Sequence, residues 1–157
     1  SEADLRAQLA QFAGQHRPID LGRSQISSLG GFLALVVEPS EALQDFAAHV
    51  VEHFDAFRAP LALKDRAARI AKGLTDRQIV LLDGYGYPYV FEEFRFHMTL
   101  TDRLAPDAEA EVLGAAKTWF GPVLDEPLVL DRLSLFHEPD SGQPFRRVAD
   151  FKLMPSA

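Results

Sequence analysis

The chain contains no cysteine, which excludes disulfide frameworks, thiol nucleophiles and cysteine-ligated zinc sites. It also lacks an apolar run of the roughly 18–20 residues that a membrane-spanning helix needs. The longest such run, residues 30–37, has only the length of a strand. Basic residues are few: 16 Lys and Arg stand against 23 Asp and Glu, a formal net charge of −7. A chain this acidic has no overall attraction for nucleic-acid backbones or anionic membranes, and we expect a cytoplasmic location.

The first residues have neither the basic nor the apolar stretch of a secretory signal, and the chain does not begin with methionine. Ser1 either follows removal of an initiator methionine or lies inside a longer gene product. Both interpretations stay open at this point. The 157 residues are 47% hydrophobic and 25% charged, which is typical of one globular domain with its own core. We therefore expect a single domain over residues 1–157.

Hydrophobic periodicity and breaker residues predict an α+β fold with antiparallel sheets and packed helices. Helices are predicted over residues 2–14, 41–57, 62–72, 75–83 and 107–120. An extended stretch is predicted to begin at residues 18–21, one strand or two over 26–38, and strands over 93–102, 127–137 and 145–153. Ser40 and Thr75 are predicted helix caps. Gly30 and Gly31 predict a bulge within the first strand region, Gly121-Pro122 predicts the end of the last helix, and residues 139–142 predict a turn.

The predicted strand 93–102 alternates strictly between apolar and polar residues. The apolar positions are Phe94, Phe96, Met98 and Leu100, and the polar positions are Arg95, His97, Thr99 and Thr101. In a strand these two sets lie on opposite faces, so the apolar face is expected to be buried. The polar face then presents a cation, an imidazole and two hydroxyl groups, a combination that suits a phosphate or phosphodiester. A solvated strand face with no ligand is the alternative interpretation.

The segment Phe96-His97-Met98-Thr99-Leu100 resembles the H-x-T-x signature of the two-histidine (2H) phosphoesterase superfamily. More specifically, the chain from about Leu29 onward resembles a bacterial family of phosphonate-metabolism proteins of unknown function within that superfamily. The matching stretches are residues 30–35, 57–60, 74–78, 86–90 and 94–101. H-x-T alone fixes only two residues, but the joint set in this order is specific and covers most of the chain.

The resemblance implies a two-lobed fold in which each lobe gives one H-x-T strand to a central cleft. It also implies that one histidine acts as general base and the other as general acid, while the hydroxyl groups hold the phosphate. By this resemblance His97 is the expected catalytic acid or base and Thr99 the expected phosphate ligand. Two imidazoles can supply both proton transfers near neutral pH, so no metal and no cofactor is expected.

Only one H-x-T is present, because His16, His49, His53 and His137 are not followed by threonine two residues on. A helix, a Pro-led segment and a strand ending in Glu-Pro occur twice, in residues 2–40 and 107–140. The strand with His97 precedes the second copy, and nothing precedes the first. We therefore expect the chain to be the C-terminal part of a two-motif protein, with the N-terminal H-x-T strand absent.

Four further residues are candidate substrate ligands. Arg95 and Thr101 share the predicted polar face of the His97 strand, Tyr87 lies in a turn-rich loop, and Arg58 precedes Pro60 at a helix end. An arginine can clamp a phosphate, and a tyrosine ring can pack against a base or a sugar. A surface salt bridge for Arg58 and a loop anchor for Tyr87 are the alternative interpretations.

Two other motifs are weaker. His49-Val50-Val51-Glu52-His53 matches the H-x-x-E-H pattern of some zinc proteases, but no clear third ligand follows in the sequence. Gly84-x-Gly86 lacks the third glycine and the following helix of a dinucleotide loop. Neither motif predicts a metal or nucleotide site.

We expect phosphodiester hydrolysis or transesterification on a small phosphate or nucleotide, cyclic forms included, linked to phosphonate metabolism by the resemblance alone. Longer nucleic acids are not expected as partners, and a homo-oligomer stays open. The alternative is a non-catalytic module that binds a phosphate-containing ligand or a protein. A second imidazole facing His97 discriminates between these two functions.

Overall fold

The computed structural model describes residues 1–140 and 142–154. The helices are α1 (Glu2–Gly14), α2 (Glu41–Phe54), α3 (Leu63–Ile70), α4 (Asp76–Tyr85) and α5 (Glu109–Leu124), with short 3-10 helices at Asp55–Phe57 and Phe91–Glu93. The strands are β1 (Ile19–Ser28), β2 (Leu33–Val37), β3 (His97–Thr99), β4 (Pro127–Leu130), β5 (Arg132–His137) and β6 (Arg146–Lys152). The expected mixed α+β class with antiparallel strand pairs is confirmed. Among the described residues, no helix combines the length and apolar composition needed to cross a membrane.

Side-chain caps begin three of the helices. The Ser1 hydroxyl accepts a hydrogen bond from the Asp4 N–H at the start of α1, and the Ser40 hydroxyl accepts one from the Leu43 N–H at the start of α2. At α4, the Thr75 hydroxyl accepts from the Gln78 N–H while the Gln78 side chain accepts from the Thr75 N–H. These bonds satisfy N–H groups that have no partner within the helix, and the predicted caps Ser40 and Thr75 are confirmed.

The chain divides into two compact units. The terminal unit contains residues 1–22 and the chain from Pro127 onward, with α1, β4 and the antiparallel pair of β5 and β6. Its buried apolar residues are Leu9, Phe12, Ala13, Leu21 and Leu153. The Leu153 N–H donates to the Asp131 carbonyl at 2.8 Å, which ties the end of β6 to the start of β5. The predicted turn at 139–142 lies in this unit, and its residue Ser141 is outside the described residues.

The central unit, Arg23–Glu126, contains the strand that carries His97. In this unit β2 lies between β1 and β3, so β3 lies at one edge of the described sheet. β1 pairs with β2, and β2 pairs with β3, in antiparallel register. The buried apolar residues of this unit are Ile26, Leu33, Ala34, Val37, Leu43, Phe46, Leu81, Leu82 and Val90.

The structure corrects four details of the predicted elements. The strand predicted over 93–102 is limited to β3, and the single strand predicted over 127–137 divides into β4 and β5. Gly30 and Gly31 form the hairpin turn between β1 and β2, with φ of +64° and +96°, and not a bulge. α5 continues through Pro122 to Leu124.

The predicted apolar face of the His97 strand is only partly buried. Phe94, Phe96 and Leu100 are half-buried, and Met98 is 37% exposed. β3 is the edge strand of the described sheet and has β2 as its neighbour on one side. Strict alternation in the sequence predicts that the two faces of the strand differ in polarity. It does not predict whether another layer of the protein covers either face.

Candidate functional site

The candidate site is the face of the central sheet to which His97 and Thr99 belong. His97 is paired with Val36 and Thr99 with Ala34, and these β2 residues are paired in turn with Gln25 and Ser27 of β1. Directly paired residues of antiparallel strands point to the same face. The register therefore places the imidazole of His97, the amide of Gln25 and the hydroxyl groups of Thr99 and Ser27 on one face of three adjacent strands.

Gln25 and Ser27 were not predicted as site residues. β1 does alternate, because Ser24 and Ile26 are buried whereas Gln25 is exposed and Ser27 is half-exposed. That alternation is a readable signal for a polar face on β1. The sequence does not predict the strand register that aligns Gln25 with Val36 and His97.

His97 is exposed, and its ring has a defined hydrogen-bond partner. The Nδ1 atom lies 2.8 Å from the Arg95 carbonyl oxygen. A carbonyl oxygen only accepts, so this contact assigns the donating proton to Nδ1 and leaves the Nε2 lone pair available in the neutral ring. The Phe32 ring lies 5.9 Å from the imidazole, centroid to centroid, and limits its orientation on one side. The imidazole is thus held in the tautomer that can accept a proton at Nε2.

The two threonines of the motif region have different environments. Thr99 is exposed and lies two residues along the strand from His97, a spacing of about 7 Å. Thr101 lies beyond β3 and is half-buried, and its hydroxyl oxygen accepts a hydrogen bond from the Leu33 N–H at 3.0 Å. Thr101 therefore ties the chain after β3 to the start of β2, while its own O–H proton stays available for donation.

Arg95 is exposed and comes two residues before His97. In the part of the chain that the structure describes, it forms no ion pair with a carboxylate. Its backbone carbonyl orients His97, as described above. Arg95 thus combines an orienting carbonyl with a positive charge that has no internal counter-ion among the described residues.

Arg58 is held between two segments of the central unit. Its guanidinium donates to the Asp55 carboxylate at 2.9 Å and to the Gly84 carbonyl at 3.0 Å. Its side chain also packs against Gly86, where an added Cβ would lie 2.8 Å from the Arg58 Cδ. These contacts join the end of α2 to the end of α4, so most of the Arg58 side chain has a structural role.

A cavity of about 420 Å³ lies beside Arg58. Its charged lining residues are Asp55, Arg58, Arg66 and Asp83. Arg66 binds both oxygens of the Asp83 carboxylate, at 2.6 and 2.9 Å. These hydrogen bonds lower the pKa of Asp83 and raise that of Arg66 from their ordinary values. Both arginines of this cavity already have carboxylate partners, so its charges compensate one another.

Tyr87 is exposed, as a substrate-contacting residue must be. It lies in the loop after α4, and its ring packs edge-on against the Tyr89 ring with a centroid separation of 5.5 Å. The Arg69 guanidinium carbon lies 5.5 Å from the Tyr87 ring centroid.

No group of three or more His, Asp or Glu side chains able to hold a metal ion is found among residues 1–140 and 142–154. His49 and His53 are both exposed on α2, and the His53 ring packs edge-on against Phe54. None of the four histidines other than His97 is part of an H-x-T sequence.

With this geometry in place, the comparison with known proteins decides the family. The model of a family described as "Protein of unknown function (DUF1045)" matches residues 1–146. The chain belongs to this family. The DUF1045 match covers β1, β2 and β3, and therefore every residue of the candidate face.

Two curated relatives are similar to this chain over most of its length. A protein of Janthinobacterium sp. (strain Marseille) is 36% identical over 151 residues, covering 92% of this chain and 33% of the relative. A protein of Laribacter hongkongensis (strain HLHK9) is 33% identical over 147 residues, covering 93% of this chain and 33% of the relative. Both are named "Ribose 1,5-bisphosphate phosphokinase PhnN". The chain thus spans about a third of the length of these relatives, and their names point to phosphonate metabolism.

Proposed function

We propose that the candidate face catalyses hydrolysis or transesterification of a small phosphodiester, with His97 as the proton-transferring residue. The observation that carries this proposal is the Nδ1 contact with the Arg95 carbonyl, which leaves Nε2 of the exposed ring able to accept a proton. The proposal also rests on the H-x-T resemblance to the 2H phosphoesterases. Full activity then requires a second imidazole, supplied by residues outside this chain or by a partner.

The chemistry assigned to His97 is a single proton transfer. Displacement at phosphorus forms a bond from the attacking oxygen and breaks the bond to the leaving oxygen on the opposite side. As general base, neutral His97 takes the proton of the attacking water or hydroxyl at Nε2. As general acid, protonated His97 gives its own Nε2 proton to the leaving oxygen. The second imidazole performs the other transfer, and proton exchange with solvent restores both rings before the next turnover, so this step uses no metal or cofactor.

Phosphate recognition is assigned to the hydroxyl groups and the cation near His97. The Thr99 O–H donates to a non-bridging oxygen, and the Thr101 O–H can do the same while its oxygen still accepts from Leu33. Arg95 supplies positive charge for the phosphoryl oxygens. Arg58 is the weakest member of the predicted set, because Asp55 and Gly84 already engage its guanidinium.

The substrate class is narrowed by the relatives. Their printed name contains a phosphorylated ribose, and opening a cyclic phosphodiester of ribose leaves a phosphorylated ribose. Small ribose phosphodiesters are therefore the first substrates to test. Residues 1–157 contain no Gly-Lys-Ser or Gly-Lys-Thr sequence of the kind that ends a phosphate-binding loop, and we do not propose the kinase reaction for this chain. A cytoplasmic location and a homo-oligomer stay predictions.

A non-catalytic phosphate-binding module is the second candidate. It is favoured by the exposure of His97 and Thr99 and by the single H-x-T of this chain. Such a module keeps Arg95 and Thr99 as anion ligands and does not need a proton acceptor at His97.

The test uses the full-length protein and 2′,3′-cyclic AMP as substrate. His97→Asn is expected to lower kcat/KM by about 10²–10⁴-fold, the usual contribution of a general acid or base, without weakening product binding. Thr99→Val is expected to raise KM and lower kcat. His53→Asn, a matched change on α2, is expected to leave turnover unchanged. Turnover that persists in His97→Asn contradicts the proposal, and saturable binding without turnover in the wild-type protein supports the binding module.

A further inference from the structure

An exposed cluster of two tyrosines and one arginine lies on the central unit. Tyr87 is 47% exposed and Tyr89 is 44% exposed, with their rings edge-on at 5.5 Å. Arg69, in the last turn of α3, lies over the Tyr87 ring. We call Arg69, Tyr87 and Tyr89 the tyrosine–arginine platform. The Tyr87 ring centroid lies 5.5 Å from the Tyr89 ring centroid and 5.5 Å from the guanidinium carbon of Arg69.

The backbone of residues 87–90 directs the side chains of Tyr87 and Tyr89 towards solvent. Pro88 and Val90 are buried, and they alternate with the exposed Tyr87 and Tyr89. The loop is fixed at both ends, by Gly86 packed under Arg58 and by Phe91, whose φ of +52° is unusual for a residue with a side chain. The positions of the exposed rings are thus set before any ligand arrives, which lowers the entropy lost on binding.

Tyr85 does not belong to the platform, although it shares the loop. It is half-buried, and its ring packs edge-on against Phe91 at 4.6 Å. Tyr85 anchors the loop, whereas Tyr87 and Tyr89 present their rings to solvent.

Arg69 differs from the other arginines of this region in its partner. Arg58, Arg66 and Arg77 each pair with a carboxylate. Within the described residues, Arg69 has no carboxylate partner and instead lies against an aromatic ring. Its N–H groups are therefore not committed to an internal counter-ion, and they can donate to an anion.

We infer that the tyrosine–arginine platform is a binding site for a nucleoside phosphate, with the base stacked on the Tyr89 ring and the phosphate held by Arg69. Aromatic rings bind bases through their faces with little regard to base identity. Arginine supplies forked donors to the phosphate and a cationic contact to the ring system. This site does not depend on proton transfer at His97, so it stands or fails separately from the proposed catalysis.

The test is titration of the full chain with AMP, adenosine and ribose 5-phosphate, followed by NMR chemical shifts. AMP is expected to bind more tightly than adenosine, which lacks the phosphate, and than ribose 5-phosphate, which lacks the base. Arg69→Gln and Tyr89→Leu are each expected to weaken AMP binding by about tenfold. Lys64→Gln removes a charge from the same helix and is the matched control, with little effect expected. His97→Asn is expected to leave AMP binding at the platform unchanged.

Three outcomes overturn the inference. AMP does not bind saturably, or Lys64→Gln weakens binding as much as Arg69→Gln, which indicates general charge attraction. Equal binding of ribose 5-phosphate and AMP also overturns it, because the rings then contribute nothing. Circular dichroism confirms that each variant is folded before its binding is compared.

Discussion

The contacts of single side chains determine which of the predicted ligand residues already have a partner within the protein. Arg58 and Arg95 have the same side chain and were both predicted as candidate substrate ligands, with a surface salt bridge as the alternative for Arg58. Arg58 is bonded to Asp55 and Gly84, whereas Arg95 has no carboxylate partner in the described chain. A sequence reveals that an arginine is present, but its partners come from segments that are distant along the chain. The lack of a carboxylate partner for Arg95 and Arg69 among the described residues is therefore a structural finding.

Gly86 provides a prediction at this scale. Its φ is +73°, and an added Cβ meets the Arg58 side chain. Gly86→Ala is expected to lower the free energy of unfolding by about 1–2 kcal/mol from the backbone conformation alone, and further because Arg58 must move. In an Arg58→Ala background, the same substitution is expected to have a smaller effect. Urea denaturation of the four proteins checks this, and equal effects in both backgrounds contradict the contact.

The Arg66–Asp83 pair gives a prediction about pH. The hydrogen bond from Arg66 holds the pKa of Asp83 below its ordinary value of 3.8. A lowered carboxyl pKa contributes stability above the unfolded-state pKa, and that contribution is lost as pH falls through the folded-state pKa. Arg66→Gln is therefore expected to raise the pKa of Asp83 and to remove this part of the acid dependence below about pH 4. NMR titration of Asp83 measures the change directly, and an unchanged pKa in Arg66→Gln contradicts the assigned cause.

At the scale of elements, the limits of α1 follow from local residues, whereas the end of α5 and the limits of β3 do not. α1 begins after Ser1 and ends at Gly14 as predicted, because capping and breaking are local effects. β3 is shorter than predicted because its extent depends on pairing with β2, which lies about 60 residues earlier in the chain. The same pairing brings Gln25 and Ser27 to the face of His97, and no local pattern predicts it.

The cap of α4 is testable as an element. Thr75 and Gln78 form reciprocal hydrogen bonds at the helix start, and Gln78 also donates to Glu93 at 2.8 Å. Thr75→Ala is expected to destabilise the protein by about 1 kcal/mol, whereas Thr75→Ser is expected to retain most of the stability. Thermal unfolding of both variants checks this prediction, and equal losses in Ala and Ser would show that the hydroxyl does not act as a cap.

At the scale of the whole molecule, the sequence predicted the α+β class and the phosphonate-metabolism link. The resemblance to 2H phosphoesterases goes further than the family match, since DUF1045 is described only as a family of unknown function. The chain spans about a third of its curated relatives. The second imidazole, the substrate and the assembly of the whole protein therefore stay predictions that rest on the chemistry of His97.

The pH dependence of kcat/KM for 2′,3′-cyclic AMP tests the central claim most directly. Acid–base catalysis by two imidazoles requires one protonated and one deprotonated group, so the proposal predicts a bell-shaped profile for the full-length protein. Replacing His97 with Asn is expected to remove one limb of the bell as well as most of the rate. A profile with both limbs intact in His97→Asn would show that the proton moves through another residue, and the assignment of His97 would be wrong.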